Sequence, residues 1–289
     1  MRLVTSIYEK NDIDNLDSLI DYALINVPHL SINFKDINLD ELVSYAKEKK
    51  LNIILSINRI MHPGDLKNVE ALVDKYNDLL FLASDIGVLN IFKEKNMIEN
   101  LIYNPETMIT NYLDLGLYND MNLNAIGVSS EITIDDLKLM YEKTKAPIYY
   151  QGFGHRLMFY SRRKLLTLYS NKNNDNYPHE GFLKEITRED YLPIIENSEG
   201  TLIYRSYLIS LLKELEDLSF IKYLYIESFN VNMDTFKNVS EIFYDAVING
   251  KVREGILKLN ELNLDIEDGF MYKDSVYQKE ELKWVNLNF

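Results

Sequence analysis

The residues best suited to chemistry lie around position 155, where an aromatic run meets two glycines and then a group of cations. Gly152 and Gly154 permit backbone angles that other residues avoid. The basic stretch from Ser161 to Lys164 supplies donors that suit an anionic group. The simpler interpretation of that stretch is a basic helix start that balances nearby acidic residues.

The elements that would position these residues alternate in the pattern of repeated βα units around a parallel sheet. Eight strands are predicted, at Leu3–Ile7, His29–Asn33, Asn52–Asn58, Leu79–Ser84, Leu101–Asn104, Ala125–Ser129, Pro147–Gln151 and Lys222–Glu227. Helices are predicted at Leu16–Ile25, Leu39–Lys49, Asp65–Tyr76, Ile86–Lys95, Thr107–Leu117, Ile134–Lys143, Leu208–Leu218 and Met233–Val247. The fold class is therefore α/β, a (β/α)8 TIM-type barrel, and a doubly wound open sheet is the alternative.

A single domain over 1–289 is expected, because α/β barrels of this length fold as one unit and 46% of the residues are hydrophobic. The region 170–205 interrupts the alternation after the seventh strand. Its Asn-rich start predicts a loop, and strands are predicted at Phe182–Thr187, Leu192–Glu196 and Thr201–Tyr204. The segment 251–289 is expected to begin as a helix and to pack on the barrel.

In such a barrel, functional residues collect at the carboxyl ends of the strands. Glu131 and His155 are the catalytic candidates, since a carboxylate and an imidazole can together activate water. The substrate-binding candidates are Asn58, His62, Asn104, Glu106, Arg156, Ser161, Arg163 and Glu227. Each has a structural alternative: Asn104 would cap the following helix, His62 would serve the Pro-Gly turn, and Glu131 would bond only to backbone amides.

Several classes of function are disfavoured by composition. The chain contains no cysteine, which excludes disulfides, thiolate catalysis and cysteine-ligated iron–sulfur clusters, and its four histidines lack the spacing of a zinc site. No metal and no cofactor are therefore expected. Ser161 with His155 is the only nearby nucleophile and base, and no Gly-x-Ser-x-Gly turn surrounds that serine.

The formal net charge of −14 disfavours unaided binding of nucleic acid, whose phosphates normally meet a basic surface. A local group of cations on an acidic body suits a small anion better than a polymer. No apolar run reaches the length of a membrane span, and the first residues predict a strand, so no membrane partner and a cytoplasmic location are expected.

The segment from Gly154 to Leu165 also resembles the signature of the collagenase-like peptidases of family U32, Gly-x-x-Cys-x-x-x-Ser-x-Arg-Cys-Leu. Gly154, Ser161, Arg163 and Leu165 match it, whereas Leu157 and Lys164 stand where the family has cysteines. Four further stretches resemble family motifs in the same order, namely 104–111, 131–137, 193–201 and 268–272. The last predicted strand keeps Glu227 but lacks the family's two cations.

The resemblance implies two enzyme readings and one binding role. The family name implies a collagenase-like protease, a hydrolase of unknown catalytic type. Short members are implicated in tRNA modification, the hydroxylation of the wobble uridine with a prephenate-derived requirement. The missing cysteines and cations suggest a catalytically reduced member. A non-catalytic scaffold for a longer paralogue is the third reading.

If the chain acts in tRNA modification, its net charge of −14 implies a hetero-oligomer in which the longer paralogue holds the tRNA. The sequence itself predicts that Glu131, His155, Arg156 and Arg163 line one pocket and bind a small carboxylate.

Overall fold

The computed structural model describes residues 1–184, 186 and 189–273. In chain order the strands are β1 Arg2–Ile7, β2 Tyr22–Asn26, β3 Asn52–Ile57, β4 Leu80–Ala83, β5 Leu101–Tyr103, β6 Ala125–Gly127, β7 Ile148–Ser161, β8 Glu180–Lys184, β9 Tyr191–Asn197, β10 Gly200–Ser210, β11 Tyr223–Ile226 and β12 Ile266–Glu267. The helices are α1 Lys10–Leu16, α2 Leu39–Glu48, α3 Pro63–Lys75, α4 Ile86–Glu94, α5 Tyr112–Asn119, α6 Ile134–Thr144, α7 Leu165–Asn173, α8 Met233–Asn249 and α9 Val252–Glu261.

The first seven strands and β11 form a closed parallel barrel, because β11 pairs with both β7 and β1. Their apolar side chains pack in two layers. The larger layer lies between the strands and the helices, and the smaller one fills the inside of the barrel around Val4, Ile54 and Ile102. The predicted (β/α)8 barrel is confirmed, with helix caps at Asn38, Asp85 and Thr133 as their side chains predict.

Two predictions near the start of the chain are wrong. The second strand is Tyr22–Asn26, which overlaps the end of the predicted helix Leu16–Ile25, and the predicted strand His29–Asn33 is a turn in which His29 has a φ of 61°. The spacing of Leu16, Ile20 and Leu24 imitates a helix. A fully buried parallel strand shows no alternation that would reveal it.

The interruption before the eighth barrel strand is larger than predicted, and we call residues 153–210 the excursion. Strand β7 continues out of the barrel to Ser161 and pairs antiparallel with β10, and β9 and β8 extend this sheet outward. The predicted helix Leu208–Leu218 is wrong, because its start is the end of β10 and a short 3-10 turn follows at Leu212–Glu214. Helix α7 was not among the predicted helices.

The excursion folds back onto the barrel at the turn between β9 and β10. The Asn197 side chain donates a hydrogen bond to the backbone oxygen of Ile32 at 2.8 Å, and Glu199 accepts from the guanidinium of Arg59. Arg59 also pairs with Asp65 at 2.7 Å. The turn is thereby fixed to the loops that follow β2 and β3.

After α9 the chain reaches β12, which pairs with β10, and Ile134 donates to the backbone oxygen of Met271 at 3.0 Å. The predicted packing of the final aromatic-rich segment concerns residues 274–289, outside the described part of the chain. Within the described residues, no helix combines the length and the apolar character that a membrane crossing requires.

Candidate functional site

A cavity of about 110 Å³ opens at the carboxyl ends of the barrel strands, above the inner apolar layer. That space holds several water molecules or a small ligand. Amides, tyrosine hydroxyls, two carboxylates, one imidazole and one guanidinium line it. This is the position where TIM-type barrels carry their functional groups.

The cation of the cavity is Arg156, and a distortion of β7 places it there. Gly154 has a φ of 114°, and a Cβ at this position would lie 2.7 Å from the Cβ and the backbone oxygen of Glu227. Only glycine adopts this conformation in so little space. The register between β7 and β11 shifts two residues earlier, at Gly152, and after Phe153 the strand leaves β11 and continues in its pairing with β10.

Arg156 is 6% exposed and is held by neutral groups. Its Nη1 donates to the backbone oxygen of Ser130 at 2.6 Å, and its Nη2 donates to the hydroxyl of Tyr150 at 3.4 Å. Its Nε is buried without a hydrogen-bond partner. Among the described residues, Arg156 forms no ion pair within 4 Å, so the cavity contains a buried positive charge that no carboxylate directly balances.

Glu106 lies at the entrance of the cavity, with a φ of 60° and an amide hydrogen bond from Asn104 at 3.1 Å. Burial of its carboxyl group among the cavity walls raises the pKa of Glu106 to about 7, and Arg156 opposes this rise. The residue as a whole is nevertheless exposed, so water tempers the desolvation of the carboxylate. Glu106 therefore binds a proton more readily than an ordinary glutamate.

Glu227 lies deeper, after β11. Its Oε1 accepts from the backbone N–H of Phe229 at 3.0 Å, and its Oε2 accepts from the hydroxyl of Tyr225, which in turn lies 2.6 Å from the Ser6 hydroxyl. Burial raises the pKa of Glu227, and these hydrogen bonds oppose the rise. The carboxyl group is fixed in place and is less acidic than a glutamate in water.

The remaining polar groups of the wall are uncharged, and the rest of the wall is aliphatic, formed by Leu24, Ile32, Leu82, Val128 and Leu157. Burial raises the pKa of Tyr8, Tyr149 and Tyr204 well above the ordinary value, so they face the cavity as neutral hydroxyls. Asn26 and Ser56 are neighbours across the β2–β3 ladder, and the Ser56 hydroxyl oxygen is buried with no hydrogen-bond partner among the residues that the structure describes. The cavity therefore has a cationic end at Arg156 and a neutral hydrogen-bonding end at β2 and β3.

Of the predicted site residues, the structure brings six to this cavity, namely Asn58, Asn104, Glu106, His155, Arg156 and Glu227. His155 is 7% exposed, and its Nδ1 lies 2.8 Å from the backbone oxygen of Arg205. Burial lowers the pKa of His155, which keeps the ring neutral near pH 7.

The other predicted residues lie elsewhere. Glu131 is exposed beside an adjoining, smaller cleft, which Arg156 also lines together with Arg205 and Phe270. His62 caps α3 in a reciprocal box with Asp65, which is the turn role considered as its alternative. The prediction that Glu131, His155, Arg156 and Arg163 line one pocket is wrong: the cavity contains His155 and Arg156, the smaller cleft contains Glu131 and Arg156, and Arg163 lines neither.

Ser161 and Arg163 are kept away from His155 by the strand itself. Ser161 ends β7 six positions after His155, and an extended strand rises by roughly 3.3 Å per residue, so the two side chains do not form a pair. Arg163 is exposed, and its backbone N–H donates to the Ser161 hydroxyl at 3.2 Å. The predicted anion site along Ser161–Lys164 is not assembled.

The basic stretch instead begins α7, and Glu196 caps that helix. The Glu196 carboxylate accepts from the backbone N–H groups of Leu166 at 2.7 Å and Thr167 at 3.2 Å, and from the Thr201 hydroxyl at 3.2 Å. Gly200 passes so close that a Cβ there would lie 2.0 Å from the Ser161 oxygen. The stretches 154–165 and 193–201, found separately in the sequence, form one structural unit.

Sequence reasoning missed the tyrosines and small polar residues of the wall, which include Tyr8, Asn26, Asn33, Ser56, Tyr149 and Tyr204. Tyrosine in a strand usually packs in a core, and nothing in its type shows that its hydroxyl reaches a cavity. The signal available was position: Asn26 and Ser56 are polar residues at the ends of otherwise apolar strands.

Among the described residues, no three histidine, aspartate or glutamate side chains are grouped as metal ligands.

Comparison with known proteins gives consistent relatives. The chain is 22% identical over 282 residues to the tRNA hydroxylation protein P2 of Bacillus subtilis, a match that covers 86% of this chain and 88% of that protein. It is 25% identical over 170 residues to an uncharacterized protease of Methanocaldococcus jannaschii, covering 54% of this chain. The chain spans only 41% of the length of that protease.

A solved U32 peptidase has the same fold, with a TM-score of 0.51 at 7% identity over 78% of this chain and 92% of the other. The sequence model for peptidase family U32 matches residues 25–277, which include the barrel strands from β3 to β11 and the whole excursion. This chain is a member of peptidase family U32.

Proposed function

We propose that this chain serves tRNA hydroxylation by binding a small carboxylate-bearing molecule in the barrel cavity, with Arg156 as the group that holds the carboxylate. The reaction is supported by the relative named as a tRNA hydroxylation protein, which matches along nearly its whole length. The ligand class is supported by the geometry of the cavity.

The observation that carries the proposal is the state of Arg156. A buried cation is stable when it is paired and hydrogen-bonded. Arg59, the second deeply buried arginine among the described residues, is 3% exposed and is paired with Asp65 and Glu199. The Nε atoms of both arginines are buried without a partner among the described residues, but Arg156 has only neutral acceptors, so a carboxylate entering the cavity supplies the missing counter-charge.

The opposite wall suggests the rest of the ligand. Asn26 and Ser56 offer an amide and a hydroxyl, and the Ser56 oxygen has no hydrogen-bond partner in the described part of the chain. A hydroxyl or carbonyl group on the ligand would satisfy these groups. The cavity thus fits a compact acid with a neutral polar group away from its carboxylate.

Glu106 and His155 could exchange a proton with such a ligand. A carboxyl group with a pKa of about 7 is present in both protonation states near neutral pH, and a neutral imidazole accepts a proton. We assign neither group a covalent step.

Proteolysis is the less favoured reading of the family membership. The chain has no cysteine. Ser161 is the serine of the signature, and it lies at the far end of the strand that contains His155. A serine or cysteine hydrolase needs its nucleophile in contact with a base.

The net charge of −14 leads to a second part of the proposal, that tRNA is held by a longer member of the family bound to this chain. Copurification from cells that encode both proteins tests this part separately. An isolated chain that binds tRNA tightly at physiological salt would contradict it.

Titration calorimetry with small carboxylates, including prephenate, hydroxy acids and their deoxy analogues, tests the cavity. Arg156→Met should weaken binding about tenfold or more, since one charge-assisted hydrogen bond contributes about 1.5–3 kcal/mol. Arg253→Met removes the same charge from the exposed face of α9 and is the matched control.

Equal loss in both variants would show a bulk charge effect and refute the site. In cells, deletion of the gene should remove 5-hydroxyuridine-type modification from tRNA, as measured by mass spectrometry of nucleosides. Unchanged modification in the deletion strain would refute the tRNA role while leaving the ligand site standing.

A further inference from the structure

Strand β8 ends the sheet of the excursion. Its one ladder within the described part of the chain is antiparallel to β9, and the sheet order finishes with β10, β9 and β8. A terminal strand presents unpaired backbone groups that can accept another strand. We infer that this edge binds the same edge of a second copy of this chain, in antiparallel register about a two-fold axis.

The hydrogen-bond pattern identifies which backbone groups face outward. Glu196 donates its backbone N–H to the oxygen of His179 at 2.6 Å, so residues 179 and 196 form a hydrogen-bonded pair. In an antiparallel ladder, hydrogen-bonded and non-hydrogen-bonded pairs alternate. Glu180, Phe182 and Lys184 therefore belong to the non-hydrogen-bonded pairs, and their N–H and C=O groups point away from β9.

Proline supports the same assignment independently. Phe182 lies opposite Pro193, which has no N–H to donate into the ladder. A proline at a non-hydrogen-bonding position leaves the β8–β9 pairing intact. The outward groups of β8 are thus set by the sequence of β9 as well as by the observed hydrogen bond.

If the two-fold axis passes through Phe182, all of these outward N–H and C=O groups form hydrogen bonds between the two copies. Phe182 then lies opposite the partner's Phe182, and Glu180 lies opposite the partner's Lys184. Each of these pairs is of the hydrogen-bonded kind, because the same three residues point outward in both copies. A two-fold contact must be self-complementary, and here a carboxylate meets an ammonium twice.

The side chains of the edge are available for this contact. Phe182 is 61% exposed, and Leu183 on the opposite face is 38% exposed. Lys184 contacts Glu189 at 3.2 Å, but the Glu189 side chain is 98% exposed, so this ion pair contributes little and is readily exchanged. The ring of Phe182 would be covered by its counterpart in the second copy.

The strength of the contact follows from its size. Five residues form a small interface compared with the roughly 1,200–2,000 Å² of stable complexes, so the dimer should dissociate in the micromolar range. The contact is independent of the proposed function, because the residues of β8 do not line the barrel cavity.

Sedimentation velocity from low to high micromolar concentration tests the inference. The wild-type chain should shift from monomer to dimer as the concentration rises. Glu180→Lys and Lys184→Glu should each weaken the dimer about tenfold, because both variants place like charges opposite each other at two positions.

A charge exchange separates this register from any other contact. The double variant Glu180→Lys with Lys184→Glu should recover the dimer, and so should an equimolar mixture of the two single variants, in which opposite charges again face each other. Circular dichroism would show that each variant is folded. A wild-type chain that stays monomeric, or single variants that dimerise like the wild type, would overturn the inference. A folded double variant that stays monomeric would overturn it too.

Discussion

Replacing Glu196 with alanine should open the excursion, because this carboxylate holds the start of α7. The Glu196 side chain is 1% exposed and lies among donors only. It accepts from the backbone N–H of Leu166 and of Thr167 and from the hydroxyls of Thr167 and Thr201. Alanine removes the acceptor and leaves the helix N-terminus uncapped.

The size of the effect follows from the two backbone donors. The hydroxyls can turn to other acceptors: the backbone oxygen of Arg163 lies 2.9 Å from the Thr201 hydroxyl and is an alternative acceptor for its one proton. The N–H groups of Leu166 and Thr167 are fixed by the helix. A hydrogen bond to a charged group contributes about 1.5 kcal/mol or more, so the two together give about 3 kcal/mol. That corresponds to roughly a hundredfold rise in the population of the open excursion.

The effect should depend on pH in a defined direction. Burial alone would raise the pKa of Glu196, but the hydrogen bonds from Thr167, Leu166 and Thr201 outweigh it and lower the pKa below the ordinary 4.5. A lowered pKa in the folded state means that the stabilisation is complete above about 4.5 and is lost as the pH falls through the lower folded value. The difference between wild type and variant should therefore shrink in acid.

Limited proteolysis under native conditions measures the open population directly. Glu196→Ala should be cleaved within residues 162–200 about a hundred times faster than the wild type. Glu189→Ala is the control, because the Glu189 side chain in the same excursion is 98% exposed. Equal cleavage of the two variants at neutral pH would refute the capping role of Glu196.

Three further results are expected. Carboxylate binding should weaken as the pH rises through about 7, because ionised Glu106 then repels the ligand, and Glu106→Gln should flatten this profile in calorimetry on either side of neutral pH. Gly154→Ala should lower the free energy of unfolding in urea by about 2 kcal/mol or more, since its Cβ would meet Glu227 at a φ of 114°; a change below about 0.5 kcal/mol would contradict the close approach. The purified chain should not degrade casein or gelatin, and cleavage that survives repurification and disappears in His155→Ala would restore the peptidase reading.

The barrel was predictable because most of its strands are short apolar runs followed by well-capped amphipathic helices. Asn52–Ile57 before Pro63–Lys75 is one such unit, with its bounds predicted to within two residues. Elements set by distant partners were not predictable. The stretch from Leu208 has helical spacing, yet its first residues pair with β7, as Leu208 does opposite His155.

The site was predictable by position and less so by role. Strand ends pointed to Asn104, Glu106 and Arg156, all of which line the cavity. The positions of the cations in the signature were not predictable. The direction of β7 beyond Gly154 depends on its pairing with β10, some fifty residues later in the chain. A local pattern carries no information on such a pairing.

The ion pair between Glu199 and Arg59 determines how the excursion lies over the mouth of the cavity. The excursion leaves the barrel at β7, and its turn is fixed beside β3, which lies four strands away around a ring of eight. The excursion therefore crosses the mouth of the barrel from one side to the opposite side. Glu106, after β5, lines the cavity on one side of the crossing segment, and Tyr8, after β1, lines it on the other, so the excursion divides the mouth of the barrel into two halves.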